Sequence, residues 1–177
     1  EVLQDLATIK PEYVQHLELG LKTTPAPGTT LNLTIYNTNI KDYQTQVQTA
    51  EVGVNRGYLA NAEKVRIHGV EFDGNTRLNS HFSLYGALAY TEGIYVSFEN
   101  APVPLEETGG LSAFKDISGG DLPGISKWTT SLGGEFATPS IFLGKAGKFF
   151  IAADGYYRSG FSSSASPSQY LNIDGYA

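Results

Sequence analysis

The chain is organised by an alternation of apolar and polar residues that is clearest over residues 65–90. A period of two is typical of β-strands, because successive side chains of a strand point to opposite faces of the sheet. Two such runs flank a polar turn at residues 74–80, so this stretch predicts a β-hairpin. Its apolar positions are Val70, Phe72, Phe82, Leu84, Leu88 and Tyr90, and its polar positions include Glu71, Asp73, Ser83 and Tyr85. One face of the hairpin therefore meets an apolar medium and the other tolerates charge.

Similar alternation recurs along the chain and predicts about seven strands. The runs lie at residues 17–21, 31–36, 65–73, 82–91, 128–136, 149–158 and 170–177. The segment TPAPG at residues 24–28 ends the first of them, since proline removes a hydrogen-bond donor and glycine permits a turn. The fold class that we expect is therefore all-β, with antiparallel up-and-down strands.

The connections between the predicted strands run short, long, short, long, intermediate and long. The long ones lie at residues 44–60, 94–126 and 160–169, and the intermediate one at residues 137–147. In an up-and-down sheet alternate connections lie at the same end, so the long loops gather at one end and the tight turns at the other. Outer-membrane barrels have this asymmetry, which favours part of a transmembrane β-barrel over a soluble all-β module such as a carbohydrate-binding sandwich.

Aromatic residues near the predicted strand ends agree with a membrane barrel, which carries aromatic girdles at its two interfaces. These residues are Tyr13, Tyr43, Tyr58, Tyr90, Tyr95, Trp128, Tyr157 and Phe161.

Composition excludes several classes of protein. Charged residues are 17% of the chain, below the roughly 25% of an average soluble domain. The net charge of -6 and the lack of a basic run argue against binding to nucleic acid. There is no cysteine for a disulfide or a thiolate metal site, and no apolar run is long enough for a membrane-spanning helix. The N-terminal residues lack the features of a signal peptide, so we expect the sequence to begin within a longer or processed protein.

No catalytic motif is present, and we expect neither an enzyme nor a cofactor. The chain has no nucleophile elbow, no phosphate-binding loop and no dinucleotide fingerprint. His16 and Glu18 share a strand face, but a wet wall explains them better than a metal site. The stretch DISGGD at residues 116–121 lacks the spacing of a calcium loop and is interpreted as a glycine turn.

Four segments carry a more specific pattern, and they occur in a fixed order. They are IKPEYVQHLELGLKT at 9–23, LNLTIYNTNIKDYQTQV at 31–47, NAEKVRIHGVEFDGNTRL at 61–78 and LPGISKWTTSLGGEF at 122–136. Together with the alternation of loop lengths, they resemble the late barrel strands of the TonB-dependent outer-membrane receptors. The family commonly has a second proline where this chain has Ile125 or Ser126. The plug domain, the energy-coupling box and the closing aromatic strand of the family have no counterpart in these residues.

The resemblance implies a function for the chain. Residues 1–177 would form one partial β-barrel domain, without plug domain or closing strands, in the outer membrane of a bacterial cell. The whole protein would be a receptor that imports a scarce nutrient, expected to be a ferric siderophore, and its partners would be outer-membrane lipid and a TonB-type energy-coupling complex that acts on the plug. A passive porin-like barrel is the alternative within the membrane class.

Two groups of residues are candidates for function. The five that we expect to face the lumen of the barrel are Glu18, Glu71, Asp73, Asp154 and Arg158. Four residues in or beside the long loops, where cationic and aromatic groups can hold an anionic, ring-bearing ligand, are the candidates for substrate binding: Arg56, Tyr58, Tyr95 and Phe98.

Overall fold

A computed structural model describes residues 9–48, 57–103, 112, 114–162 and 170–171 of the chain. The strands within those ranges are β1 (Tyr13–Ala26), β2 (Thr29–Gln48), β3 (Gly57–Arg77), β4 (Phe82–Ser97), β5 (Ala101–Pro102), β6 (Phe114–Lys115), β7 (Trp128–Phe142), β8 (Lys145–Arg158), β9 (Phe161–Ser162) and β10 (Tyr170–Leu171). Within these ranges no helix is long and apolar enough to cross a membrane.

Six long strands form one antiparallel sheet in the order β1-β2-β3-β4-β7-β8, while β5 pairs with β6 and β9 with β10. This up-and-down order confirms the predicted fold class. The tight connections β1–β2, β3–β4 and β7–β8 lie at one end of the sheet, and the β2–β3 and β4–β7 connections lie at the other. The predicted sorting of the connections by length is therefore present.

Several strands are longer than the alternation predicts. The predicted bounds of the loop at residues 44–60 are wrong at both ends, because β2 continues to Gln48 and β3 already begins at Gly57. Their polar ends pair with each other, as Gln44 does with Asn61. Likewise β3 extends through most of the predicted turn to Arg77. Backbone hydrogen bonds between strands do not require apolar side chains. Polar residues can therefore extend a strand without producing the apolar–polar alternation that predicts it.

The connection predicted at residues 137–147 is also wrong, because β7 and β8 continue to a two-residue turn at Leu143 and Gly144. Pro139 lies within β7 but beyond Phe136, where the pairing of β7 with β4 ends. The amide of Ala137 points to that side and donates to the His81 carbonyl at 2.8 Å. The ring nitrogen of Pro139, two residues on, therefore faces a side without a strand partner, where proline is tolerated.

Directly paired residues lie on the same face of an antiparallel sheet, so the register divides the side chains into two sets. We call them the apolar face and the polar face. The apolar face carries Leu17, Leu19, Leu21, Leu31, Leu33, Ile35, Val70, Phe72, Phe82, Leu84, Leu88, Tyr90, Trp128, Leu132, Phe136, Phe142, Phe149, Ile151 and Tyr157. The polar face carries His16, Glu18, Asn32, Tyr36, Glu71, Asp73, Tyr85, Ser131, Glu135, Asp154, Tyr156 and Arg158.

The apolar residues form a band that crosses the sheet diagonally. Leu21 of β1 shares a row of paired residues with Leu88 of β4 and Tyr157 of β8. The large apolar residues of β1 end at Leu21, whereas those of β8 continue to Phe149, eight residues further along the strand. Strands about 4.8 Å apart and tilted by about 45° would shift a horizontal layer by about seven residues over five steps. The band therefore has the slope of a horizontal apolar layer crossed by tilted strands.

The long β4–β7 connection folds back over the polar face instead of extending away from it. Its residues Leu122 and Ile125 lie against Gly93, where a side chain would clash with them. Backbone hydrogen bonds join the connection to β4: the Tyr95 amide donates to Gly120 at 2.9 Å, and the Leu122 amide donates to Gly93 at 2.8 Å. The connection and the strands beneath it bury one cluster of residues, which we call the loop core. It consists of Ala62, Val65, Tyr95, Phe98, Ala101 and Leu122.

Truncating the loop core should loosen the connection without unfolding the sheet. Leu122 is only 4% exposed, and replacing a buried leucine by alanine costs about 2–5 kcal/mol because it leaves a cavity. In Leu122→Ala we expect faster hydrogen exchange at the amides of Tyr95 and Leu122, with unchanged exchange in the centre of β3. The exposed Leu78→Ala is the matched control. Equal protection in both variants would show that the loop core does not hold the connection.

Candidate functional site

The polar face is the candidate functional site, and it contains all five residues predicted to face a lumen. Glu71 lies in one row with Ala89, Thr129 and Arg158. The next rows hold Asp73 with Ala87, Ser131 and Tyr156, and Asp154 with Gly133, Tyr85 and Asn75. Glu18 lies further away on β1, opposite Tyr36. The register therefore places the five residues on four successive rows, with Glu18 on the edge strand β1 and Asp154 and Arg158 on the edge strand β8.

A tyrosine of β2 crosses over β3 on this face. The Tyr36 hydroxyl lies 2.9 Å from Thr91 Oγ1 on β4, so the ring passes over the intervening Gly69. A Cβ at position 69 would lie 2.6 Å from the Tyr36 hydroxyl oxygen and would also clash with the carbonyl of Tyr90. Glycine is required here because ring and backbone fill the space of a side chain.

The same arrangement recurs two strands away. Tyr85 of β4 lies over Gly133 of β7, and its hydroxyl donates a short hydrogen bond to Asp154 of β8. Each tyrosine thus links two strands that are not neighbours and covers the backbone of the strand between them. The two crossings fix the orientation of polar groups across most of the sheet.

Small side chains open a shallow depression between these crossings. It has a volume of about 200 Å³, and its floor is formed by Ala87 and Ala89. Its other lining residues include Glu71, Asp73, Thr129, Ser131 and Tyr156. The depression exposes hydroxyl and carboxylate groups on the polar face.

Most of the predicted charges on the polar face already have partners. Asp73 accepts a hydrogen bond from the Asn32 amide at 2.8 Å, and Asp154 is bound by Tyr85. Glu18 lies 3.4 Å from the His16 imidazole. Glu71 has no hydrogen bond or ion pair with the described part of the chain. It is therefore the acid of this set that is most available to a ligand.

Arg158 holds two connections together. Its Nε donates to Ser126 Oγ at 2.8 Å, and its guanidinium lies 3.9 Å from the centre of the Phe161 ring. Ser126 belongs to the β4–β7 connection and Phe161 to β9. Arg158 therefore ties the base of both connections to β8, a role that its position in the sequence does not reveal.

The four residues predicted to bind substrate differ in how the structure treats them. Tyr95 and Phe98 are 1% and 3% exposed, with ring centroids 5.4 Å apart in the loop core. In this arrangement neither ring is open to a ligand, because the β4–β7 connection covers both. Arg56 and the side chain of Tyr58 lie outside the described residues.

The polar groups of the two segments that were considered as cation sites have partners within the chain. His16 directs one ring nitrogen to Thr38 Oγ1 at 2.8 Å and the other to Glu18. In the segment 116–121 the first carboxylate accepts hydrogen bonds from the Ser118 hydroxyl and from the Ser118 amide, and these bonds lower the pKa of Asp116. The last carboxylate lies 3.3 Å from Lys127 Nζ, and this contact raises the pKa of that lysine. Among the residues that the structure describes, no group of three histidines or acids could hold a metal ion.

A larger concavity lies at the end of the sheet with the tight connections. Its volume is about 420 Å³, and it is lined by charged and polar residues that include Arg77, His81, Glu135 and Lys148. Lys148 Nζ donates to Glu135 at 3.1 Å, and His81 Nδ1 lies 2.9 Å from the Ala137 carbonyl. The sequence pattern does not single out these residues, because they come from three separate strands and the β3–β4 connection.

The crossing of Tyr85 over Gly133 can be tested by a double-mutant cycle. Gly133→Ala should destabilise the protein by about 1–3 kcal/mol, since the new methyl group would overlap the Asp154 carboxylate and the Tyr85 ring that is bonded to it. In a Tyr85→Ala background the same change should cost much less, which gives a coupling of about 1 kcal/mol or more. Urea unfolding of the protein in vesicles measures both. Gly155→Ala is the control, because its nearest contact would be an ordinary 3.8 Å. Additive effects at positions 85 and 133 would rule out the crossing.

Comparison with known proteins agrees with this geometry. No curated protein matches the chain. Among solved structures, the chain is similar to the copper transporter OprC, with a TM-score of 0.66 and 16% sequence identity. The alignment covers 94% of this chain and 20% of OprC, so the chain spans about a fifth of that protein, and the similarity shows a shared fold. The family model for the TonB-dependent receptor-like β-barrel matches residues 4–177. The chain therefore belongs to the TonB-dependent receptor β-barrel family, whose members lie in the bacterial outer membrane.

Proposed function

We propose that this chain is part of the wall of an outer-membrane receptor that imports a scarce nutrient, with its apolar face in lipid and its polar face lining the lumen. The observation that carries the proposal is the diagonal apolar band opposite a continuous polar face. Leu19, Leu84 and Phe149 on that band are exposed large apolar residues. Contact with hydrocarbon would remove these apolar side chains from water, which is favourable. The tilt of the strands accounts for the slope of the band.

Import driven by an inner-membrane complex is favoured over passive diffusion by family membership. In such a receptor a plug would fill the lumen, and the TonB-type complex would act on that plug. The polar groups at the tight-turn end, around Arg77 and Lys148, suit a surface that meets another polar surface. A porin-like barrel would conduct without an energy source, so removal of the proton gradient separates the two functions.

The substrate that we propose is a ferric siderophore, taken up as an intact chelate. The 177 residues contain no cysteine and no methionine, so this part of the chain offers no soft sulfur ligand of the kind that binds copper(I). The described residues also contain no cluster of hard ligands for a bare cation. A chelate brings its own ligands and requires only hydrogen-bonding and stacking groups from the wall, such as those of Tyr156, Thr129 and Glu71.

The long loops would capture the chelate. Arg56 and Tyr58 remain our candidates for direct contact. Tyr95 and Phe98 would contribute indirectly, by holding the β4–β7 connection over the lumen side through the loop core. In this proposal the substrate passes from the loop end along the polar face and past the depression at Ala87.

Uptake by whole cells tests the proposed function. Cells that lack the gene, and the same cells with the gene restored, are supplied with radioactive iron as a set of ferric siderophores and with radioactive copper. We expect gene-dependent uptake of one ferric chelate that a protonophore abolishes. Gene-dependent uptake that survives the protonophore would indicate a passive barrel. Gene-dependent uptake of copper alone would overturn the proposed substrate.

Arginine substitutions on adjacent residues test the orientation of the sheet. Leu88→Arg places a charge on the apolar face and should impair folding into a bilayer by about 2–4 kcal/mol if the site is near the midplane. Ala87→Arg places the same charge on the polar face opposite Asp73 and should have little effect. Folding yield and urea unfolding in vesicles measure both variants. Equal tolerance at the two positions would contradict the proposed orientation.

A further inference from the structure

The hairpin of β7 and β8 ends in an exposed apolar tip. Ile141, Phe142 and Leu143 are 78%, 76% and 86% exposed, and no other described residue is more exposed among the large apolar side chains than Leu143. The two other tight connections place Pro27 and Gly28, and Leu78 (60% exposed) with the polar Asn79-Ser80-His81, at the same end of the sheet. This tip is therefore the most apolar of the three.

The geometry of the turn does not account for its leucine. Leu143 and Gly144 have φ angles of +52° and +74°, so both central residues are left-handed. Asparagine or glycine is favoured at the first of these positions, because a larger side chain is strained there. A leucine that is both strained and exposed to water would be disfavoured twice, and burial of its side chain in another medium would remove one of the two penalties.

The position of the tip along the strand identifies that medium. Trp128 marks the loop-side boundary of the apolar band on β7, where its ring packs against Tyr90 with centroids 4.8 Å apart. The 15 residues from Trp128 to Leu143 extend about 50 Å, or about 35 Å of height at a tilt of about 45°. The apolar layer of such a barrel is about 25 Å tall, so Leu143 lies about 10 Å past its far boundary, which is the depth of lipid headgroups.

The charge beside the tip suits the same surface. Lys145 pairs in the sheet with Phe142 and is exposed, and it has no ion pair with the described residues. Lys148, by contrast, is bound to Glu135 at 3.1 Å. An apolar tip followed by a free lysine is the composition of segments that lie in the headgroup layer of anionic membranes.

We propose that residues 141–145 form a membrane anchor that inserts into the phospholipid headgroup layer on the side of the tight turns. Phe142 and Leu143 lie within the headgroup layer, and Lys145 contacts lipid phosphate. The anchor rests on the proposed orientation of the sheet, because it requires the apolar face to lie in lipid. It fixes the depth of the β7–β8 hairpin in the membrane, next to the concavity at the tight-turn end.

Spin labels on the complete protein test the anchor. The label is attached to a cysteine introduced at Leu143, at Ser80 in the neighbouring tight turn, or at Leu84 in the apolar band, after removal of any cysteine elsewhere in the protein. The protein is reconstituted into vesicles of phosphatidylethanolamine and phosphatidylglycerol. Power saturation then compares collisions with oxygen, which concentrates in lipid, and with a nickel chelate, which stays in water.

We expect the ratio of oxygen to nickel collisions to be several-fold higher at Leu143→Cys than at Ser80→Cys, and highest at Leu84→Cys. A nickel-accessible label at position 143 with a lipid-exposed label at 84 would overturn the anchor and leave the orientation intact. A label at 143 that meets neither reagent would also overturn it, since the tip would then contact protein. A label at 84 that is not in lipid would overturn both the anchor and the proposed function.

A substitution that suits the turn separates the two roles of the leucine. Leu143→Asn relieves the left-handed strain and should leave thermal stability in detergent unchanged or higher. In phosphatidylglycerol-containing vesicles the same variant should move the Phe142 region outward, seen as increased nickel collisions at a label on Phe142→Cys. An unchanged collision ratio at Phe142→Cys in the asparagine variant would show that Leu143 does not anchor the hairpin.

Discussion

A backbone amide or carbonyl inside a membrane has no water to bind, and this constraint governs the structure of the chain. The six long strands satisfy it by antiparallel pairing with their neighbours from β1 to β8. The prolines that lie within strands occur where pairing is irregular or one-sided, as at Pro25 beside the register shift of β1 and at Pro139 beyond the end of β4. Because the backbone groups are paired with one another, the side chains on each face can match the medium that they contact. This explains the regular alternation in the sequence.

Hydrogen bonds between side chains of non-neighbouring strands make the polar face rigid. Tyr36 and Tyr85 each span a strand, and Gly69 and Gly133 provide the space for their rings. The hydroxyl groups end on Thr91 and Asp154, so polar groups are bound to one another instead of to a variable solvent. Such bonds fix the orientation of the polar groups on this face, and Glu71 has no hydrogen bond or ion pair with the described residues. The wall therefore combines fixed hydrogen-bonding groups with one available acid.

The loop end of the sheet follows different physics. Tyr95, Phe98 and Leu122 bury themselves beneath the β4–β7 connection, and Arg158 ties that connection to β8 through Ser126. The hydrophobic effect acts there as in a soluble protein, because the apolar side chains of the loop core are buried against one another. Apolar side chains are therefore exposed on the apolar face, whereas those of the loop core are buried against one another. The tip at Leu143 resembles the apolar face, because its side chain is exposed.

The sequence by itself determined the all-β class, the antiparallel order, the sorting of the connections and the face of each predicted lumen residue, because a period of two is a local property of the chain. It did not reveal where β2, β3, β7 and β8 end, since backbone pairing extends polar strands without a hydrophobic signal. Tertiary structure alone decided that Tyr95 and Phe98 are covered, that Arg158 joins two connections, and that Gly69 and Gly133 accommodate tyrosines. Each of these depends on residues far apart in the sequence that only the register of the sheet brings within a few ångströms.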